Sequence, residues 1–172
     1  MSADGIAPNI KKRPHHNRDE LCKSRPSYRQ GKKLTAVKVY TINDESQHLI
    51  IRGVPALNLQ RELKNLCMRY GEVKLLHTIA NYSQDEEAFT EVFHVLYARI
   101  QSARFAKQMI DDKNFFGGIL HVCYAPELES LSETRQKLTQ RENDVLKRIR
   151  KQSNQNVAKV TSSSSVASRA PT

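Results

Sequence analysis

Cysteines, paired acids and a histidine pair are the residues of this 172-residue chain that could do bond-making chemistry. Cys22, Cys67 and Cys123 are odd in number, far apart and never in a CxxC pair. That argues against a disulfide framework and against a structural zinc site. Cys67 and Cys123 sit in apolar segments and are expected as small buried hydrophobes. Glu86-Glu87 and Asp111-Asp112 are adjacent in sequence, so neither pair shares one helix face or one strand face. His15-His16 lies in a polar tail and makes no metal site by itself. No Gly-rich phosphate loop or nucleophile signature is present, and Gly117-Gly118 reads as a turn. An enzyme is therefore not expected, nor a cofactor, nor a metal.

Charge is more informative. Residues 1–40 hold ten Lys/Arg against three Asp/Glu, residues 41–130 nine against twelve, and residues 131–172 nine against three. A mildly acidic centre thus carries basic flanks, and basic flanks are drawn to phosphate. Tyr28, Arg29, Lys32 and Lys33 combine a ring with cations, and Lys38 and Tyr40 follow them. A solvated tail, or a nuclear-import segment at Lys11-Lys12-Arg13, explains the same charges. Apolar residues make up 38% of the chain, which suits one compact core with disordered flanks. No apolar run approaches the roughly 18 residues of a membrane span, and the N-terminus does not read as a secretory signal. The nucleus or cytoplasm is expected.

The elements that must position these residues follow from periodicity. LTAVKVYTI (34–42) and HLIIRGVP (48–55) alternate as strands, and they could pair as a hairpin at a sheet edge. In residues 58–70, Leu59, Leu63, Leu66, Cys67 and Tyr70 share a helical face, with Asn58 as N-cap and Gly71 at the C-terminal end. VKLLHTIA (73–80) is a strand, NYSQDEEA (81–88) an acidic loop, and FTEVFHVLYARI (89–100) a strand. Residues 102–112 form a helix burying Ala103, Ala106 and Ile110; Asn114–Gly118 turns; ILHVCYA (119–125) is the last strand. From residue 48 the order is β-α-β-β-α-β, the ferredoxin-like α+β pattern. Ser130 and Glu133 form a capping box for a charged helix to residue 151, with Leu131, Leu138, Val145 and Ile149 along it. The predicted organisation is a basic, largely disordered segment (1–33), a domain with an extra N-terminal strand (34–127), a charged helix (128–151) and a disordered Ser-rich tail (152–172).

This topology is that of an RNA-recognition motif, whose open sheet face stacks bases on aromatic rings. The third-strand consensus places Thr90-Glu91-Val92-Phe93-His94-Val95-Leu96-Tyr97 so that Phe93, Val95 and Tyr97 face the core. The outward stacking positions are then Ile50, Val92 and His94, none of them Phe, Tyr or Trp. Base stacking there is expected to be weak. Ile50, Val92 and Leu96 would form an apolar stripe, with Arg52, His94 and His121 beside it as RNA contacts. Such a stripe marks a protein contact or is covered by the chain's own tail.

SRPSYRQGKKLTAVKVYTINDES, HLIIRGVPA, SARFAKQMID and FFGGILHVCYAPELESLSETRQKL together resemble the RNA-binding protein 48 family over residues 24–140. The resemblance implies an atypical RNA-recognition motif that acts in the nucleus in mRNA splicing of minor-class introns. It also implies contact with a capped small nuclear RNA near its 5′ end, an armadillo-repeat partner and other spliceosome components. Under that reading Tyr28, Arg29, Lys32, Lys33, Lys38, Tyr40, Arg52, His94 and His121 contact RNA, and Ile50, Val92, Leu96 and the α-helical stripe meet protein. The competing reading is a degenerate motif that serves only as a protein–protein interaction module.

Overall fold

Strand alternation sorts the apolar residues onto two faces, and helices cover one of them. The computed structural model describes residues 10–18, 40–80, 82 and 89–164, in two compact units, 1–129 and 130–172. The first unit contains β1 (His48–Pro55), α1 (Gln60–Met68), β2 (Val73–Ile79), β3 (Thr90–Tyr97), α2 (Ile100–Ile110), a short hairpin of β4 (Asn114–Phe115) and β5 (Gly118–Ile119), and β6 (His121–Tyr124). The main sheet runs β2-β3-β1-β6, antiparallel throughout. This is the ferredoxin-like α+β fold of an RNA-recognition motif, as the sequence predicts.

Leu49, Ile51, Phe93, Val95, Tyr97 and Val122 meet Leu63, Leu66 and Cys67 of α1 and Ala103, Ala106 and Ile110 of α2 in the main core. The Tyr97 hydroxyl donates to the Cys67 carbonyl at 3.0 Å, which spares a buried phenol the cost of lost hydration. Burial pushes the Cys67 thiol up to about 11, so it packs as a neutral hydrophobe. Lys107 of α2 is buried, and its ammonium donates to Asp111 at 2.9 Å and to the Val122 carbonyl at 2.6 Å. That pins α2 to β6.

Gly53 (φ +77°) makes the bulge in β1. A Cβ there would stand 2.4 Å from the Ile119 carbonyl oxygen, and one on Gly118 would stand 2.5 Å from the Gly53 oxygen. Only two glycines let the β4–β5 hairpin lie this close to β1.

Several boundaries differ from expectation. Asn58 is no N-cap: it adopts φ +57°, and the helix begins two residues later. Asn tolerates this left-handed conformation, which closes the turn out of β1. The second helix starts earlier, at Ile100, which is buried, and ends at Ile110. The Asn114–Gly118 turn is a two-stranded hairpin. Of the extra N-terminal strand, residues 34–39 lie outside the described residues; Tyr40 and Thr41 are not in a strand, and Ile42–Asp44 turn. Thr41 donates to Asp44 Oδ2 from its amide (2.9 Å) and its hydroxyl (2.7 Å). A hairpin with β1 is excluded, because β3 and β6 occupy both edges of that strand.

The second unit is α3 (Leu131–Ser164). Its capping box forms in both directions: the Ser130 amide donates to Glu133 Oε2 (2.7 Å), and the Glu133 amide to Ser130 Oγ (3.3 Å). The helix runs past residue 151, because residues 152–164 contain neither Pro nor Gly to stop it. Leu131, Leu138, Val145 and Ile149 are exposed on it, as is Leu146.

Candidate nucleic-acid interface

The sheet face away from the helices is where an RNA-recognition motif presents its rings. Register places Ile79, Val92, Arg52 and His121 at one level of this face. His77, His94, Ile50 and Cys123 make the next level, and Leu75, Leu96 and His48 the third. The face is not open. Ile50, Val92, His94 and Cys123 are at most 4% exposed. Ile10, Tyr82 and Ala125 join Ile50, Ile79, Val92 and Cys123 in a second apolar cluster, with Leu128 packed against it. A stretch of chain expected to be disordered therefore covers the platform: residues 10–18, with a 3-10 turn at Pro14–His16.

The cover is held by polar contacts. The Lys12 amide donates to the Tyr82 carbonyl at 3.3 Å. His16 is fully buried, and its Nδ1 accepts from the Arg13 amide (3.2 Å) with the Tyr82 hydroxyl 2.5 Å away. An accepting Nδ1 leaves the proton on Nε2 of the neutral ring. That Nε2 lies 2.7 Å from Glu127 Oε1, in a second 3-10 turn (Pro126–Leu128), while His15 Nε2 lies 2.9 Å from Oε2. Burial works against the Glu127 charge, but hydrogen bonds from His16, from backbone and from His15 bring its pKa down to about 2. One carboxylate thus latches the N-terminal segment to the chain beyond β6.

His15, His16 and Glu127 keep their ligand atoms within 4.8 Å of one another, a spacing that could suit a metal ion. The hydrogen bonds do not suit one. A metal on His16 Nε2 would move the proton to Nδ1, where it would face the Arg13 N–H, donor against donor.

The predicted contact residues fall into three groups. Tyr28, Arg29, Lys32, Lys33 and Lys38 lie outside the described residues. Arg52 and His121 are half-buried and engaged by the cover: both reach the His16 carbonyl, at 3.5 and 3.2 Å, and Arg52 also lies 5.8 Å from the Tyr82 ring centroid. His121 Nδ1 is 3.3 Å from Asp111 as well. His94 is not a surface histidine. It stacks on His48 with ring centroids 5.1 Å apart, bonds its Nδ1 through Nε2 at 2.9 Å, and meets His77 edge-on. Burial, then the neighbouring His48 and His77, push its pKa down to about 3, so it offers neither a cation nor an exposed ring. Ile50 and Val92 are sealed and offer no protein contact; Leu96 is half-buried, beside the exposed Leu75. Tyr40 packs edge-to-face on Tyr124, centroids 5.0 Å apart.

Ile10, Tyr82 and Glu127, which help build the cover, were not singled out by sequence, and His16 was named only as half of a histidine pair with no metal site. The available signals were slight: one isoleucine before a basic run, and one aromatic residue at the head of an acidic loop.

No family model matches the chain. It is 47% identical over 127 residues to RNA-binding protein 48 of Rattus norvegicus, covering 74% of this chain and 34% of the relative. For Homo sapiens the identity is 46% over 133 residues, covering 77% and 36%, and for Danio rerio it is 46% over 127 residues, covering 74% and 34%. The chain spans about a third of the length of the curated relatives it matches. Among solved structures, Pes4 RRM3 aligns at 16% identity and TM-score 0.41, over 49% of this chain and 98% of that one. The Rna15 RRM with bound RNA (GU) aligns at 13% and 0.40, over 53% and 95%. The fold assignment rests on the strand order given above. With nearly half its residues shared across some three quarters of its length, the chain is homologous over that stretch to the vertebrate proteins named RNA-binding protein 48.

Proposed function

We propose that this protein is a nuclear RNA-binding adaptor of the minor spliceosome, holding RNA by its flanks and edges and not across its sheet. The sealed platform carries this reading: stacking positions that lack aromatic rings lie under the protein's own N-terminal segment. The names of its relatives support RNA as ligand. The basic segment with Tyr28, Arg29, Lys32, Lys33 and Lys38 supplies phosphate contacts of the kind expected for a capped small nuclear RNA near its 5′ end. An armadillo-repeat partner, expected from the family resemblance, presents a concave surface that fits an amphipathic helix. The exposed Leu131, Leu138, Val145 and Ile149 of α3 are its suggested contact.

The sealed face also favours a second reading, a motif that binds only protein. Ultraviolet crosslinking in nuclear extract, with sequencing of attached RNA and mapping of crosslinked peptides, separates the two. The proposal expects crosslinks from residues 24–40 to one small nuclear RNA. Efficient recovery of partner proteins with no RNA crosslink, beside a positive crosslinking control, refutes it.

A further inference from the structure

The charge of α3 changes character along the helix. Residues 131–144 hold three Lys/Arg and three Asp/Glu, and no acid follows Asp144 in the chain. Lys147, Arg148, Arg150 and Lys151 then place four cations in five residues. All four are exposed, and none forms an ion pair among the described residues. Helix stability does not account for them. Lys147 stands three and four residues from Arg150 and Lys151, and Arg148 three from Lys151, spacings at which like charges repel. The macrodipole does not account for them either, because it favours cations in the last turn and this helix continues to Ser164.

Their placement separates two faces. At about 100° per residue, Val145 and Leu146 lie within about 60° of Ile149 around the helix axis, whereas the four cations lie about 100° or more from it. One side of this turn is apolar and the opposite side is purely basic. Residues 131–155 contain no Phe, Tyr, Trp or His, so the basic side has no ring to stack on a base. It suits phosphate alone, and a double helix offers about twice the phosphate density of one strand.

We propose that the basic face of α3 at residues 147–151 grips the phosphate backbone of a double-stranded segment of the bound RNA. The contact carries no preference for base sequence and is separate from that of the N-terminal basic segment. Because the apolar residues lie on the opposite side, α3 can hold RNA and a protein partner at once. This inference rests on the RNA-binding reading above.

The test uses the full chain with RNA stem-loops of unrelated sequence and a single-stranded oligouridine of equal length. Affinity is measured by fluorescence anisotropy across a salt series. The stem-loops should bind alike, and more tightly than oligouridine. Replacing Lys147, Arg148, Arg150 and Lys151 by Gln, which suits a helix as well as Lys or Arg, should lower the stem-loop's slope of log affinity against log salt by about 3 to 4 and close the gap to oligouridine. A control replaces Arg61, Lys64, Arg69 and Lys74, exposed cations of the first unit, by Gln and changes the net charge equally; its slope should stay near that of the parent. In the unmodified protein, amide NMR signals of residues 147–151 should shift on adding a stem-loop, whatever any variant does to folding. Equal loss in both variants, or an unchanged slope in the α3 variant, overturns the proposal while the RNA-binding reading survives. An α3 variant that binds stem-loops normally but is lost from the nucleus marks the cluster as an import signal and overturns the proposal as well. If no RNA binds at all, both fall.

Discussion

Breaking the Glu127 latch should free the N-terminal cover while leaving the domain folded. Glu127→Gln keeps side-chain size and removes the charge facing His16 Nε2 at 2.7 Å and His15 Nε2 at 2.9 Å. Hydrogen bonds to a charged group contribute roughly 1.5–3 kcal/mol when buried. The His15 contact, with that ring 44% exposed, adds little. Linkage gives a ceiling of similar size: lowering a carboxyl from 4.5 to about 2 corresponds to at most about 3 kcal/mol. Partial exposure of Glu127 reduces this, and about 2 kcal/mol is expected at neutral pH. The folded-state pKa lies below the unfolded one, so the stabilisation is complete above about pH 4.5 and fades as pH falls toward 2. Variant and parent should therefore converge in acid. The assay is amide hydrogen exchange at Lys12 and His16, whose amides donate to the Tyr82 and Arg13 carbonyls. Both should exchange about thirtyfold faster in the variant at neutral pH, while β3 amides keep their protection. Unchanged exchange at Lys12 and His16, or a gap that persists undiminished near pH 2, would refute the latch.

Other perturbations probe the remaining parts. His94→Ala should cost about 2 kcal/mol of stability in denaturant melts, since it empties a buried, hydrogen-bonded site. The same variant should change RNA affinity by less than about 1 kcal/mol, because the ring does not reach RNA. Gly53→Ala places a Cβ 2.4 Å from the Ile119 oxygen at a positive φ. Its thermal melt should reveal a loss of about 3 kcal/mol or more, and a neutral result would mean the bulge relaxes freely. Replacing Arg29, Lys32 and Lys33 by Ala should lower the slope of log affinity against log salt by about 2 for single-stranded RNA. An unchanged slope in that titration removes those residues from the interface.

The fold was readable because its signals are local. Alternation of Phe93, Val95 and Tyr97, the stripes of both helices and the Ser130–Glu133 box each follow from spacing of a few residues. The degenerate platform was readable too, since a side chain's face follows from its register. What covers that platform was not. Ile10 and His16 contact residues some forty to a hundred positions away, and a charged, Pro-containing segment has no period to betray one buried isoleucine. His94 was misplaced for a related reason: it is packed against His48 and His77, which lie on other strands and which local sequence does not bring together. The reach of α3 was underestimated because a polar helix without Pro or Gly looks, in composition, like a tail.

The most direct measurement is methyl NMR of Ile50 and Val92 in the full chain during titration with a short single-stranded RNA. With RNA held at the flanks and edge and the sheet still sealed, both methyl signals should stay in place while signals from residues 28–40 move. Large shifts at Ile50 and Val92, with loss of amide protection at Lys12 and His16, would show that RNA displaces the cover and binds across the sheet after all.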